Sequence, residues 1–300
     1  MTFSQFPSID RTVCHLIQRT AFTIACIVGL ARFCGAQCCG CSSGSAANLA
    51  VTRPFGSQED SGPRCAEPAV QPKTSVERPV SPKLLIPNIL HDQRTTFLFP
   101  VQVGKGHHLQ KVLPLIGITA GLVVLDPYDT PYFRNNSGFS SFKTGPLRGR
   151  NTTLAMMAVP VGLYLSGTAR HSSYAKNTAL LAAESIVDAQ ILSLGIKLAT
   201  GRSHPSDIPP HGNFRNTWFK YTGTLTNPGS FPSGHAITAF AIAAVLARRY
   251  RQHRWVPFVA YTGATLVALT RIPDQAHFPS DIFAGSAMGY ILGHYVIFPH

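Results

Sequence analysis

Cysteine is absent from most of this chain, because all seven cysteines lie at or before Cys65 in a sequence of 300 residues. A disulfide framework, a cysteine-ligated metal and a thiol redox centre are therefore excluded from the part that follows. Charged residues are also scarce, at 13% against 45% apolar residues, and the mean hydropathy is +0.10. The chain is thus more apolar than most soluble enzymes.

Acidic residues are rarer than basic ones, with 13 Asp and Glu against 26 Lys and Arg, so the formal net charge is +13. This charge favours anionic partners such as phosphate esters or anionic lipids. The sequence has no basic run interleaved with aromatic residues and no zinc-finger or helix-turn-helix signature, so we expect no nucleic-acid partner.

Residues 1–40 resemble an export signal or an N-terminal anchor. Arg11 and Arg19 precede an apolar stretch over residues 21–31, and the small residues Gly35 and Ala36 follow it. This stretch is short for a membrane span, and no Leu-Ala-Gly-Cys-like lipoprotein box is present. We therefore expect an exported protein of the cell envelope, periplasmic or membrane-associated, with its functional site outside the cytoplasm.

Residues 41–105 are rich in Ser, Pro, Gly and charge and show neither helical nor strand periodicity. This composition is typical of a disordered linker, and we expect no chemistry there. The remaining residues, 106–300, are expected to form the functional domain.

Apolar segments recur through that domain, separated by loops that hold most of its Pro, Asn and His. They cover residues 112–125, 154–166, 178–200, 236–247, 255–270 and 282–298. The segments lack the period-two alternation of exposed strands, which predicts an all-α six-helix bundle. Most are shorter than the roughly 20 residues of a membrane span, so a soluble bundle and a membrane bundle both remain open.

Three polar clusters lie at the junctions of these segments. The first is Phe231-Pro232-Ser233-Gly234-His235, where a loop runs into an apolar helix. Free backbone N–H groups and the positive end of the helix dipole make such a junction suitable for an anion. Ser233 adds a hydroxyl, Gly234 allows close approach of the backbone, and His235 can hold or release a proton near neutral pH.

The second cluster lies at the end of the third apolar segment and contains Lys197, Arg202 and His204. Cations at a helix C-terminus can hold an anion, but they also complement the helix dipole with no further function.

The third cluster contains Arg271, His277 and Asp281, with Pro279 suited to the first turn of the last helix. His277 and Asp281 are four residues apart and share one face of a helical turn. A carboxylate on one ring nitrogen fixes the tautomer and frees the other nitrogen as a nucleophile. A purely structural hydrogen bond explains such a pair equally well, but the three clusters together supply the parts that phosphoryl transfer needs.

These clusters resemble the type 2 phosphatidic acid phosphatase (PAP2) superfamily, which includes bacterial acid phosphatases and vanadium haloperoxidases. Its motifs are Lys-x6-Arg-Pro, Pro-Ser-Gly-His and Ser-Arg-x5-His-x3-Asp. This chain reads Lys197-x6-His204-Pro205, Pro232-Ser233-Gly234-His235 and Thr270-Arg271-x5-His277-x3-Asp281. The resemblance covers roughly residues 110–300 and implies a PAP2-type helical bundle.

The resemblance also implies roles for the motif residues. His277 is expected to form a phosphohistidine, Asp281 to orient it, and His235 to protonate the leaving alcohol. The expected ligands of the phosphate oxygens are Lys197, Arg271, Ser233 and the Gly234 backbone N–H. No metal or other cofactor is expected for hydrolysis.

One position departs from the family pattern, since His204 stands where the family has a phosphate-binding arginine. A histidine makes no bidentate fork and is only partly charged at neutral pH. Arg202 is close in sequence and is expected to compensate as a phosphate ligand. Weaker phosphate binding, an acidic pH optimum and a different substrate all remain open.

The sequence therefore predicts a metal-independent phosphomonoesterase acting on a lipid phosphate or a small phosphate ester. One alternative is a haloperoxidase that uses vanadate as its cofactor in the same site. Another is a catalytically weak envelope protein that binds phosphate or lipid head groups, an alternative motivated by His204.

Overall fold

The computed structural model describes residues 80–135, 148–220 and 228–298. Over these residues it is all-α, as predicted, with seven α-helices and no strand. They are α1 (Leu85–Gly104), α2 (Leu109–Asn135), α3 (Gly149–Ala169), α4 (Ser173–Thr200), α5 (Gly234–Arg249), α6 (Trp255–Leu269) and α7 (Pro279–Ile291). A π-helical turn, Leu292–Val296, continues α7. The six predicted apolar segments correspond to α2 to α7, and the last of them continues through the π-helical turn.

Helix α1 is a correction, because the sequence predicted a linker across residues 41–105. The polar face of this helix is buried and its apolar face is exposed. Asp92, Gln93 and Thr96 are buried, while apolar residues such as Leu90 and Phe97 are exposed. Gln93 donates a hydrogen bond of 2.8 Å to Asp188 on α4. A sequence search for helices that turn an apolar face towards the protein core does not find such a helix. The rest of the linker up to residue 79 and the predicted export signal lie outside the described residues.

Helix α5 is the centre of the bundle and packs against α4, α6 and α7. Its buried residues are mostly alanine, which lets neighbouring helices approach closely. On α7, a Cβ at Gly285 would lie 2.7 Å from the Ser233 carbonyl oxygen. A Cβ at Gly289 would collide with the Ile237 carbonyl oxygen. The glycines therefore allow backbone-to-backbone contact between α5 and α7, which fixes the two helix N-termini side by side.

The outer surface of the bundle is strongly apolar. Large side chains exposed on α2, α3 and α6 include Ile116, Val124, Val161, Leu165 and Phe258. Three helical stretches, Leu109–Asn135, Gly149–Ala169 and Ser173–Asp207, are long and apolar enough to cross a membrane. Apolar side chains that face outward on such helices suit a lipid environment rather than water, which favours the membrane bundle over the soluble one.

Candidate active site

A cavity of about 430 Å³ brings together residues from all three clusters. Lys197 on α4, Gly234 and His235 at the start of α5, and His277 before α7 all line it. The other lining residues are Thr153, Met156, Met157, Gln190, Ser193, Leu194, Pro228 and Thr238. Residues far apart in sequence thus converge at one place, where the N-termini of α3 and α5 meet the last turn of α4.

His277 lies directly before α7 and is held next to Asp281. Its Nδ1 is 3.7 Å from Asp281 Oδ2, and Pro279 occupies the first helical turn as the sequence predicted. The backbone N–H of Phe278 donates to Asp281 Oδ2 at 2.9 Å. With Nδ1 turned towards the carboxylate, Nε2 is on the opposite edge of the ring, available to the cavity.

Burial lowers the pKa of His277 to about 4 against the opposing effect of Asp281, so the imidazole is neutral at pH 7. Burial alone would raise the pKa of Asp281, but Arg202 and His277 lower it below its usual value. Asp281 is therefore an anion that can stabilise positive charge on His277.

His235 contacts α3 through its Nε2, which is 2.9 Å from Thr153 Oγ1 and 3.3 Å from the Gly149 carbonyl oxygen. Thr153 Oγ1 donates its own proton to Gly149 at 2.9 Å. The hydroxyl must therefore accept from His235, so Nε2 carries a proton and Nδ1 is left for a substrate. Sequence reasoning missed Thr153, because nothing at the start of α3 distinguishes it from its neighbours.

The pKa of His235 is also lowered to about 4, first by burial and then by the positive charge of Arg271 and by His277. A bound phosphate dianion acts in the opposite direction, because a nearby negative charge favours the imidazolium.

The N-terminus of α5 forms one wall of the cavity through Gly234 and His235. Ser233 is fully buried and caps the helix, its hydroxyl accepting from the Ala236 N–H at 3.4 Å. Its backbone N–H donates to the Asp281 carbonyl oxygen at 3.0 Å. A Cβ at Gly234 would lie 3.3 Å from Ser193 Oγ, so glycine keeps this wall open to a ligand.

Two of the three predicted cations, Lys197 and Arg271, lie at different depths. Lys197 lines the cavity from the last turn of α4. Arg271 is buried, with Nη1 3.0 Å from Asp274 Oδ2 and Nη2 2.8 Å from Thr270 Oγ1. A Cβ on Gly149 would collide with the Arg271 guanidinium, so Arg271 lies directly beside Gly149, whose carbonyl oxygen His235 contacts.

His204 lies beside the predicted nucleophile, with its ring centroid 5.9 Å from that of His277. Its Nδ1 is 3.4 Å from Asp207 Oδ2. The histidine at the position where the resemblance implies an arginine is therefore next to His277, the nucleophile that the same resemblance implies.

Arg202 requires a correction, because it is not placed as a phosphate ligand. Its side chain is 1% exposed, and Nη1 and Nη2 each lie 2.5 Å from a carboxylate, of Asp281 and Asp126 respectively. Phe278 and Trp218 stack on the guanidinium at 4.0 and 4.5 Å. With its donors engaged in the interior, Arg202 cannot compensate for His204. Sequence reasoning also missed Asp126, which lies in a different helix from all three motifs.

Comparison with known proteins matches residues 178–298 to the family model described as the PAP2 superfamily. The chain is 30% identical over 158 residues to a lipid A 1-phosphatase of Rhizobium etli, covering 53% of this chain and 56% of that protein. It is 29% identical over 182 residues to a lipid A 1-phosphatase of Rhizobium johnstonii, covering 61% and 63%. The matched region thus spans less than two thirds of these relatives.

Two further proteins are similar over other lengths. A lipid A 4'-phosphatase of Porphyromonas gingivalis is 30% identical over 107 residues, covering 36% of this chain and 44% of that protein. A solved structure of a transmembrane PAP2-type phosphatidylglycerolphosphate phosphatase from Bacillus subtilis has a TM-score of 0.37 and 17% identity. It covers 69% of this chain and 94% of that one.

Proposed function

We propose that the chain is a membrane-associated phosphatase that removes the phosphate group from a lipid phosphate monoester, since residues 178–298 match the family model described as the PAP2 superfamily. The observation that carries this proposal is the shared cavity of Lys197, His235 and His277, with the N-terminus of α5 as its wall. A cation, a helix N-terminus and two imidazoles around one space suit a phosphate group.

The first chemical step forms a phosphohistidine. The lone pair of His277 Nε2 attacks phosphorus, the bond from phosphorus to the ester oxygen breaks, and its electron pair stays on that oxygen. His235 gives the leaving oxygen a proton from Nδ1, so the alcohol departs neutral. Asp281 faces the opposite edge of the His277 ring at 3.7 Å and stabilises the positive charge that develops there.

The second step releases phosphate. His235, now neutral, accepts a proton from a water molecule as the water oxygen attacks phosphorus. The phosphorus–nitrogen bond breaks and its electron pair returns to His277 Nε2, which regenerates the starting state. Lys197, Arg271, Ser233 and the Gly234 N–H are proposed to hold the phosphate oxygens in both steps.

A lipid phosphate fits this cavity better than a small soluble ester. Met156, Met157 and Leu194 line one side of the cavity, on two helices able to cross a membrane. Lipid chains can follow these apolar faces while the phosphate reaches Lys197. Since the relatives are lipid A 1- and 4'-phosphatases, phosphorylated lipid A is the first substrate to test. We also propose that the protein is exported to the cell envelope, with this cavity outside the cytoplasm.

The experiment compares phosphate release by the detergent-purified protein from lipid A in mixed micelles with release from a soluble aryl phosphate. We expect faster turnover of the lipid and no release by His277→Ala. Acid quenching with a ³²P-labelled lipid should trap an acid-labile label in the wild type but not in that variant. Full activity of a folded His277→Ala protein would overturn the assignment of the nucleophile.

A further inference from the structure

Two buried carboxylates from different helices share one guanidinium beneath the cavity. Arg202 Nη2 is 2.5 Å from Asp126 Oδ2 on α2, and Nη1 is 2.5 Å from Asp281 Oδ1 on α7. All three side chains are at most 1% exposed. Each group is therefore held in place by the others and shielded from solvent, so their charges act strongly on neighbouring groups.

Asp126 also reaches the first turn of α7 directly. Its Oδ1 accepts from the Ser280 backbone N–H at 3.2 Å, and its Oδ2 accepts from the Ser280 hydroxyl at 2.5 Å. Ser280 also accepts from Arg202 Nη1 at 2.7 Å. These contacts fix the turn that carries Asp281, although Asp126 lies outside residues 178–298, where the family model matches.

The charges of the three groups explain why two carboxylates are useful here. Arg202 paired with Asp281 alone would give a neutral pair, and the carboxylate would be a weak partner for a positive imidazole. The Arg202 guanidinium, 2.5 Å from Asp126 Oδ2, opposes the effect of burial and favours the ionised carboxylate, so the three groups sum to a net charge of −1 beside His277. That net charge can stabilise the positive charge that His277 carries once phosphorylated.

We propose that Asp126 is a positioning residue of the phosphatase, acting through Arg202 to fix the geometry and net negative charge of Asp281 behind His277. It touches neither the substrate nor the nucleophile. The proposal rests on the proposed function, in which His277 is the nucleophile.

Other charged and titratable groups face His277 and are left unchanged by the test. They are Lys197 on α4, His204 after it and His235 on α5. The variant Asp126→Asn keeps the shape of the side chain and removes its charge. The matched control is Asp129→Asn on the same helix, where the side chain is partly buried and Arg202 pairs with Asp126 and Asp281 instead.

We expect Asp126→Asn to lower kcat by about 10- to 100-fold, as loss of a supporting partner commonly does, with KM within about threefold. The acid limb of the kcat/KM profile should move to lower pH, since a less negative neighbourhood stabilises the imidazolium less. Asp129→Asn should leave both unchanged. A purely structural role would reduce the folded fraction but would move neither the pH limb nor kcat per folded molecule, and that result would overturn the proposal.

The variant Arg202→Gln provides a second test, because Asp126 is proposed to act through the Arg202 guanidinium. Adding Asp126→Asn to Arg202→Gln should move the pH limb far less than it does in the wild-type background. Additive shifts would contradict the proposal.

A readout independent of turnover separates this proposal from the proposed function. Diethyl pyrocarbonate acylates neutral imidazole, so the pH dependence of His277 labelling, followed by mass spectrometry, reports its protonation without any substrate. A shifted labelling curve in Asp126→Asn supports the positioning role even if no lipid phosphate is hydrolysed. An unshifted curve in an active, folded enzyme overturns it.

Discussion

His235 on α5 donates its Nε2 proton to Thr153 on α3 across a distance of 2.9 Å. A hydroxyl that accepts this proton stabilises the charged imidazolium and directs Nδ1 to the leaving group. The proposed general acid thus depends on a residue from outside the three motifs.

Thr153→Val should therefore lower the pKa of His235. We expect the alkaline limb of the kcat profile to move to lower pH by about one unit, because a hydrogen bond to a charged group contributes on the order of 1.5 kcal/mol. Thr153→Ser keeps the hydroxyl and should retain the wild-type pH profile. Thr168→Val, at an exposed position on the same helix, is the control and should leave it unchanged.

The acid limb of the kcat/KM profile reports the protonation of His277. Burial lowers its pKa to about 4, so the neutral nucleophile persists as the pH falls and is lost only when the pH passes through about 4. We expect kcat/KM for an aryl phosphate, corrected for ionisation of the substrate, to fall there rather than near 6.5, the ordinary pKa of histidine. An acid limb near 6.5 in the folded protein would contradict the burial of His277.

The same burial affects stability, so folding must be followed at each pH. The pKa of His277 is about 4 in the folded protein but about 6.5 in the unfolded chain. Unfolding therefore binds protons between these values, and stability falls as the pH is lowered through that window. Intrinsic fluorescence at each pH separates this loss from loss of the nucleophile.

His204→Arg should tighten phosphate binding. His204 is next to His277, at 5.9 Å between ring centroids, and arginine adds a permanent charge and a bidentate fork. We expect the inhibition constant of inorganic phosphate to fall about tenfold, corresponding to one charge-assisted hydrogen bond. His204→Gln keeps a polar side chain without the charge and serves as the control. Weaker inhibition of His204→Arg by phosphate would show that this position does not face the phosphate.

Contact between α5 and α7 should be highly sensitive to one added methyl group. A Cβ on Gly289 would collide with the Ile237 carbonyl oxygen, which is backbone and cannot rotate away. Gly289→Ala should destabilise the protein by about 1–3 kcal/mol, measured by thermal unfolding in detergent. At Gly263 on α6 a Cβ meets nothing within 4 Å. Gly263→Ala should therefore be neutral or slightly stabilising, and equal losses in both variants would contradict the packing.

Hydrolysis should not require a metal ion. In the proposed mechanism Lys197, Arg271 and the N-terminus of α5 supply the positive charge that a metal provides in other phosphatases. We expect dialysis against EDTA to leave kcat unchanged and added Mg²⁺ or Zn²⁺ not to raise it. Loss of activity that a metal restores would overturn this part of the proposal.

The sequence was sufficient to predict the helices that bury small apolar residues and the motif residues at their ends. Helix α1 was missed because its buried face carries Asp92 and Gln93 and its exposed face is apolar. That pattern is the reverse of what periodicity analysis assumes for a protein in water.

In the candidate site, the position of Arg202 could not be predicted from the sequence. Its place in the sequence, near Lys197 and His204, suggested a phosphate ligand. The direction of its side chain is decided by Asp126 on another helix. A single sequence carries no signal for such a pairing, since neither residue has a local pattern that identifies the other.

Asp126 on α2 and Asp281 on α7 belong to one buried ion network. This arrangement has a consequence for biosynthesis. A nascent chain that contains only α2 to α5 already carries Lys197 and His235, but it lacks His277, the proposed nucleophile, and Asp281. In the proposed mechanism, hydrolysis therefore becomes possible only when α7 packs against α5. Until then, an incompletely assembled chain would not act on the lipid phosphates proposed as its substrates.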